Sequence, residues 1–245
     1  MRLVDLHVHP PMTMARVAQR HGWLLPTAAF VFVLLAAGAV FDLLVWDKPI
    51  TAWVVDSRTP WLDAIVRRVS FLGSTKVVLP LAAVLALASW KRCPRLALAI
   101  VVIALARPLA EFCLKELVAR DRPAGDRLVN GTGYSFPSGH PLATAASWGL
   151  LPPVLALYVR SRIVWWAAAA SVWVLAVLVA MSRVWLGVHW TTDVFAALVL
   201  TIIGVAAAER FMHATHKDTC RGHRAGPVDH LDERAHPEVM ALARS

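Results

Sequence analysis

The chain has 245 residues, of which 58% are hydrophobic, more than a soluble domain of this length usually carries. Its formal net charge is +9, but the Lys and Arg residues lie mainly in short loops between apolar runs. Basic loops of this kind set membrane topology or meet anionic lipid headgroups. The composition therefore predicts an integral membrane protein and argues against a nucleic-acid-binding one.

The apolar runs predict an all-α fold, an integral membrane bundle of six transmembrane helices. A helix that rises about 1.5 Å per residue needs roughly 20 residues to cross a hydrocarbon core of about 30 Å. The predicted spans cover residues 23–46, 74–90, 96–119, 140–159, 163–182 and 189–211. The transmembrane domain is thus residues 23–211, preceded by a flank at residues 1–22 and followed by a polar tail at residues 212–245.

The basic residues indicate which side of the membrane the termini face. Arg16 and Arg20 precede the first span, and the loops at residues 91–95 and 160–162 hold five basic and no acidic residues. In a chain of six spans, all of these residues fall on one side. Because Lys and Arg concentrate in cytoplasmic loops, the pattern predicts a cell-membrane protein with both termini in the cytoplasm.

A shorter amphipathic helix is predicted between the first two spans. Thr59 resembles an N-cap residue, and Pro60 suits the first helical turn. Apolar residues then recur at helical spacing to Leu72, interrupted by Asp63 and Arg67, so the segment is too short and too charged to cross. It either lies on the outer membrane face or packs across the mouth of the bundle.

Two histidine-containing stretches outside the spans are weak candidates for metal sites. The tail holds His213, His216, Cys220 and His223. This spacing matches no closed zinc pattern, and the polar flanks favour a disordered cytoplasmic tail. His7 and His9 resemble the H-x-H pair of metal-dependent hydrolases, but the chain lacks the alternating strands and helices of such a barrel. We therefore expect no metal site in either stretch.

Three polar clusters lie at span ends on the side opposite the basic loops. The first is Lys115 with Arg122-Pro123, the second is Pro137-Ser138-Gly139-His140, and the third is Ser182-Arg183 with His189 and Asp193. Elsewhere the spans largely avoid polar residues. The three clusters are therefore predicted to converge at the extracytoplasmic rim of the bundle.

The first group of these residues suits the binding of a phosphoryl group. A phosphoryl group in transfer spreads negative charge over its equatorial oxygens, so its transition state needs cations and N–H donors. Lys115, Arg122 and Arg183 supply positive charge. Ser138 and Gly139 precede a predicted helix, whose free N–H groups can face an anion, and glycine lets the backbone approach it closely. These five residues are the predicted phosphate-binding set.

The second group suits covalent catalysis. His189 and Asp193 are four residues apart on a predicted helix, so their side chains share one face. The carboxylate can hold Nδ1–H of the imidazole and leave Nε2 free as the nucleophile. His140, at the start of another helix, can protonate the departing oxygen. One such residue at a span end is more often an interfacial anchor, but three complete clusters favour a catalytic site.

The three clusters resemble the signature motifs of the type 2 phosphatidic acid phosphatase superfamily, which includes membrane lipid phosphatases and soluble vanadium haloperoxidases. The patterns K-x6-R-P, P-S-G-H and S-R-x5-H-x3-D occur in order between Lys115 and Asp193. The resemblance implies a phosphohistidine intermediate on His189, acid catalysis by His140 and phosphate contacts from the set defined above. It also implies no metal or other cofactor and a catalytic centre near the outer membrane surface.

The resemblance and the spans together predict hydrolysis of a lipid phosphate or diphosphate that enters from the leaflet. Polyprenyl diphosphate, phosphatidylglycerol phosphate and phosphatidate all fit. The outward-facing site favours polyprenyl diphosphate, because carrier diphosphates are released on that face. Two alternatives stay open: a lipid phosphotransferase with the same histidine chemistry, and a non-catalytic membrane protein that binds or transports phospholipid. Membrane lipids are the expected partners, and no obligatory protein partner is inferred.

Three charged residues extend the first cluster deeper into the third span. Arg107, Glu111 and Lys115 are spaced at i, i+4 and i+8 and share one helix face. Charges at this depth need partners. Glu111 is therefore predicted to pair with Arg107 and to help place Lys115, and Pro108 can kink the helix and shift that face.

Overall fold

The computed structural model describes residues 23–159 and 161–215 of the chain. Within these residues the protein is all-helical, with no strand. The helices are α1 (Leu24–Val40), α2 (Asp47–Asp56), α3 (Pro60–Phe71), α4 (Thr75–Trp90), α5 (Pro94–Val118), α6 (Gly139–Trp148), α7 (Leu151–Ala156), α8 (Arg162–Trp185) and α9 (Thr191–Thr215). Residues 1–22 and 216–245, which include the predicted flank and most of the predicted tail, lie outside the described part.

The helices have the length and surface of a membrane protein. Three helical stretches are long and apolar enough to cross a bilayer: Pro60–Trp90, Pro94–Val118 and Ile163–Trp185. Leu24–Val40 and Thr191–Val205 are apolar but shorter. Large hydrophobic side chains point outward, as with Leu105 at 69% exposure, which suits a lipid environment. The all-α membrane fold is therefore confirmed, whereas the number of six spans stays a prediction.

The first predicted span, residues 23–46, is wrong at its C-terminal end. The helix ends at Val40, and a turn with Asp42 at a positive φ of 51° leads into α2, which the sequence did not predict. Aspartate adopts this left-handed conformation more readily than most residues. The apolar composition continues through Trp46, so hydropathy alone conceals the break.

The fourth predicted span, residues 140–159, is two short helices rather than one. Helix α6 ends at Trp148, a turn follows, and α7 begins at Leu151. Pro152 and Pro153 explain the break, because proline fits a first helical turn but cannot donate to the preceding one. Pro141, in the first turn of α6, leaves that helix intact.

Two further boundaries concern α5 and α9. Helix α5 is continuous from Pro94 to Val118 with Pro108 inside it. Helix α9 extends to Thr215, beyond the predicted end at residue 211, so His213 belongs to a helix rather than to the tail. The other tail residues of interest, His216, Cys220 and His223, lie outside the described residues.

Helix α3 is the predicted amphipathic helix, and it packs against α8. Trp185 Nε1 donates a hydrogen bond to Asp63 Oδ1 at 2.8 Å, and Arg183 Nη1 donates to Ser70 Oγ at 2.7 Å. These contacts favour the placement in which the helix packs against the bundle. Since Arg183 belongs to a predicted phosphate-binding cluster, α3 also borders the candidate site.

The segment between α5 and α6, residues 119–138, is held against the turn between α8 and α9. Ala119, at a positive φ of 49°, ends α5. Downstream, Leu128 N donates to Leu186 O at 3.0 Å, and Ser138 N donates to Asp193 O at 3.2 Å. These backbone bonds bring the ends of α5 and α8 to the starts of α6 and α9.

Candidate active site

A cavity of about 230 Å³ lies where these four helix ends meet. The predicted site residues that line it are Lys115, Arg122, Gly139, His140, Arg183 and His189, together with Arg107 and Glu111. Ser138 and Asp193 are completely buried and do not belong to the lining. Helix ends that are far apart in the sequence thus surround one small cavity, and two imidazole rings and several cations line it.

The contact between Arg122 and His189 defines the state of the imidazole. Arg122 Nη1 lies 3.1 Å from His189 Nε2. An arginine side chain can only donate hydrogen bonds, so Nε2 accepts and the ring proton is on Nδ1. Nδ1 faces Asp193 Oδ2 at 3.4 Å, which is longer than a well-formed hydrogen bond. Catalytic contacts of this kind commonly tighten when substrate binds.

The protonation state of His189 follows from its surroundings. The residue lies in the turn between α8 and α9 and is only 2% exposed. Burial lowers the pKa of His189 to about 4, Arg122 and Arg183 act in the same direction, and Asp193 opposes the shift. The imidazole is therefore neutral near pH 7, and its Nε2 accepts from Arg122, which also lines the cavity.

Arg122 is fixed by backbone carbonyls. Its Nε donates to Gly133 O at 2.9 Å, and its Nη2 donates to Thr132 O at 2.8 Å and to Tyr134 O at 3.1 Å. Its Nη1 donates to Val188 O at 2.7 Å. The guanidinium therefore keeps one orientation beside His189 and at the same time holds the 119–138 segment against the turn before α9.

Among the buried side-chain atoms that have no hydrogen-bond partner in the described residues, two belong to the predicted phosphate-binding set. One is Arg183 Nε, whose neighbouring Nη1 donates to Ser70, and the other is Ser138 Oγ, just before the first turn of α6. An unpaired buried polar group is costly. Both groups are donors of the kind that an anionic phosphoryl group accepts from.

Glu111 packs against Gly139, a member of the predicted phosphate-binding set, which the sequence did not indicate. Its carboxylate contacts Arg107 Nη1 at 2.7 Å and Lys115 Nζ at 2.8 Å, the pairing that the helical spacing predicts. A Cβ added at Gly139 would overlap this same carboxylate. A side chain at position 139 would therefore displace the Glu111 carboxylate, which packs directly on the glycine.

A buried charge network behind Asp193 was missed by the sequence analysis. Arg120 Nη1 contacts Asp193 Oδ1 at 2.7 Å, and Arg120 Nη2 contacts Asp47 Oδ2 at 2.7 Å. Asp47 also accepts from the backbone N–H of Thr192 at 3.0 Å. One signal was available: Arg120 and Asp47 are charges next to apolar runs, where unpaired charge is costly. Their pairing across the chain could not be deduced from spacing.

The described residues contain no group of three His, Cys, Asp or Glu side chains that could hold a metal ion. The expectation of metal-independent chemistry stays a prediction. Three of the side chains that line the cavity, Lys115, Arg122 and Arg183, are cationic donors that suit an oxygen anion.

The motif-bearing part of the chain matches a known family. Residues 95–217 match the model of the PAP2 superfamily. A relative in Bacillus subtilis (strain 168), phosphatidylglycerophosphatase B, is 30% identical over 187 residues, which cover 73% of this chain and 90% of the relative. The matched region contains all three polar clusters.

Two solved structures resemble the protein. The crystal structure of a transmembrane PAP2 type phosphatidylglycerolphosphate phosphatase from Bacillus subtilis aligns with a TM-score of 0.71 at 26% identity, covering 80% of this chain and 98% of that one. The structure of Aquifex aeolicus LpxE aligns with a TM-score of 0.53 at 21% identity, covering 66% and 94%. The second likeness concerns the fold alone.

Proposed function

The chain belongs to the PAP2 superfamily and is a membrane lipid phosphatase, and from this premise we propose that it hydrolyses its substrate through a phosphohistidine intermediate on His189. The observation that carries the proposal is the contact of 3.1 Å between Arg122 and Nε2 of a neutral imidazole. This contact supports the proposal because a cation that could bind phosphate lies next to the atom that would attack phosphorus. Lys115 and Arg183 line the same cavity.

In the first step, Nε2 of His189 attacks phosphorus and the bond between phosphorus and the leaving oxygen breaks. Lys115, Arg122, Arg183 and the N–H groups at the start of α6 bind the non-bridging oxygens, where charge accumulates. His140 takes up a proton when the anionic substrate binds beside it, and it donates this proton to the departing oxygen. Asp193 stabilises the positive charge that develops on the His189 ring.

In the second step, water attacks the phosphorus of the phosphohistidine. His140, now neutral, accepts a proton from the water, and the bond from phosphorus to Nε2 breaks. The products are inorganic phosphate and the free enzyme. The same two histidines thus serve both halves of the reaction, as microscopic reversibility requires.

The substrate is proposed to be a lipid phosphate or diphosphate that enters from the outer leaflet. The cavity lies at the end of α5 remote from the basic loop at residues 91–95, which supports an extracytoplasmic site in the cell membrane with both termini in the cytoplasm. An outward face favours polyprenyl diphosphate. The activity of the Bacillus subtilis relatives, phosphatidylglycerophosphatase, favours a second candidate, phosphatidylglycerol phosphate.

Purified full-length protein in detergent tests the proposal. Phosphate release is measured on polyprenyl diphosphate, phosphatidylglycerol phosphate and phosphatidate, with chelator present and with His189→Ala as the control. We expect turnover with chelator, none for the variant, and an acid-labile, base-stable phosphoenzyme on rapid quenching. A requirement for added divalent metal, or a phosphoenzyme in His189→Ala, would contradict the mechanism.

Acceptor alcohols separate hydrolysis from transfer in the same assay. A hydrolase releases inorganic phosphate whether or not an alcohol is added, whereas a phosphotransferase needs the alcohol and forms its phosphoester. Tight binding of all three lipids without product would instead indicate the non-catalytic alternative.

A further inference from the structure

We propose that Arg120 and Asp47 are positioning residues that hold the Asp193 carboxylate in the orientation required to brace His189. The inference rests on the histidine chemistry proposed above. Neither Arg120 nor Asp47 belongs to the lining of the cavity, so both act on the reaction through Asp193 rather than by touching substrate.

Both carboxylate oxygens of Asp193 have partners, and the two oxygens contact different residues. Oδ1 contacts Arg120 Nη1 at 2.7 Å. Oδ2 accepts from the backbone N–H of Trp190 at 2.9 Å and faces His189 Nδ1. The bond to Trp190 is half of a capping arrangement at the start of α9. With Oδ1 held by Arg120, the carboxylate cannot rotate Oδ2 away from the imidazole.

Arg120 in turn is held by Asp47, which comes from a different part of the chain. Arg120 Nη2 contacts Asp47 Oδ2 at 2.7 Å, and Arg120 Nη1 also donates to Thr192 Oγ1 at 2.8 Å. Asp47 accepts from both the backbone N–H and the hydroxyl of Thr192. The guanidinium thus bridges the start of α2 to the start of α9, and the position of each partner fixes the other.

The charges explain why the bridge needs an arginine. Asp47 is 1% exposed and Asp193 is 0% exposed, so two carboxylates lie buried around one guanidinium. Truncating one partner of such a group leaves uncompensated buried charge. Arginine contacts two carboxylates at once through separate nitrogens, whereas the ammonium of lysine is a compact point charge.

The experiment compares Arg120→Lys and Asp47→Asn with Asp193→Asn and the double variant Arg120→Lys/Asp193→Asn, all as full-length protein in detergent. We expect kcat of Arg120→Lys to fall roughly 10- to 100-fold, as for residues that orient a functional group, with KM within about twofold. The loss in Asp47→Asn should be smaller. In the Asp193→Asn background, Arg120→Lys should have little further effect, because its route to the imidazole is already broken.

Several results would overturn the inference. These are a wild-type kcat for folded Arg120→Lys, a change confined to KM, or losses that multiply in the double variant. A lower melting temperature with unchanged kcat would show that the network only stabilises the fold. If Arg120→Lys does not fold, Asp47→Asn carries the same test, because its amide keeps an acceptor for Thr192 while removing the charge that faces Arg120.

The variant His189→Ala, assayed in parallel, separates this inference from the proposed function. If His189→Ala turns over, the histidine mechanism and the inference both fail. If His189→Ala is inactive while Arg120→Lys and Asp47→Asn turn over normally, only the inference fails.

Discussion

The two sides of the His189 ring meet opposite kinds of charge. On the Nε2 side, the cavity gathers cations from α5, the 119–138 segment and α8, among them Arg122 at 3.1 Å. On the Nδ1 side, two buried carboxylates share the single guanidinium of Arg120. The cationic side suits the binding of a phosphoryl group, and the anionic side suits the imidazolium that forms after attack. The His189 ring thus lies between the cations proposed to bind substrate and the carboxylates proposed to stabilise the imidazolium.

Removing the ring itself should have the largest effect. We expect His189→Ala to lose roughly 10⁶-fold in kcat, as removal of a nucleophile does in enzymes with covalent intermediates, and His140→Ala to lose nearly all turnover. Phosphate release measured per folded protein checks both. As a control, Lys48→Ala removes an exposed ion pair with Asp42 and should leave activity unchanged.

Removing the charge of Asp193 should lower kcat less than removing the His189 ring, because the proposed nucleophile remains. Asp193→Asn is expected to lose roughly 10⁴-fold in kcat, since the amide no longer stabilises the correct tautomer or the charged ring. KM should change little. Equal losses in Asp193→Asn and His189→Ala would contradict the separate tasks assigned to the two residues.

Gly139→Ala tests the close packing on the cationic side. Its methyl group would overlap the Glu111 carboxylate, so Glu111 must move and release Lys115. We expect phosphate release to fall on the order of 10-fold. Gly139→Ala/Glu111→Ala should lose little more than Glu111→Ala alone, because both changes act by releasing Lys115.

Gly204→Ala is the matched control for that change. A Cβ at position 204 meets no atom within 4 Å, and alanine is favoured over glycine inside a helix. The control should therefore keep full activity and unfold at the same or a higher temperature. A similar loss of activity in both variants would argue against the overlap with Glu111.

The smallest effect is expected from Arg107→Ala. Arg107 contacts Glu111 rather than the nucleophile, so its loss should raise KM about threefold through a less well placed Lys115. Initial rates over a range of lipid concentrations measure this. If Arg107→Ala kept normal stability and normal turnover at all lipid concentrations, Arg107 would have no role in catalysis.

The sequence singled out residues that the structure gathers around one cavity, whereas it missed two breaks between helices. Lys115, Arg122, His140 and Arg183 stand out because charge is rare next to apolar runs, and the structure brings all four to one cavity. The breaks before α2 and α7 were missed because apolar composition continues across them. Hydropathy reports the average environment of a segment but not where its backbone turns.

The partnership of Arg120 with Asp47 illustrates a second limit. The two residues are separated by 73 positions, and α2 was itself unpredicted. Helical periodicity relates residues three or four apart, which is why the Arg107, Glu111 and Lys115 ladder could be deduced. Contacts between distant segments depend on the tertiary fold, so a single sequence shows the charges but not their pairing.

Four backbone carbonyl groups hold Arg122 in place. A mutation at this position therefore changes the local structure and the charge of the site at the same time. Its guanidinium satisfies backbone acceptors at Thr132, Gly133, Tyr134 and Val188 while it faces the nucleophile. A shorter side chain there would remove the donor to those oxygens as well as a cation. Any deficit measured at Arg122 therefore combines the loss of a cation with the loss of the contacts that hold the 119–138 segment against the turn before α9.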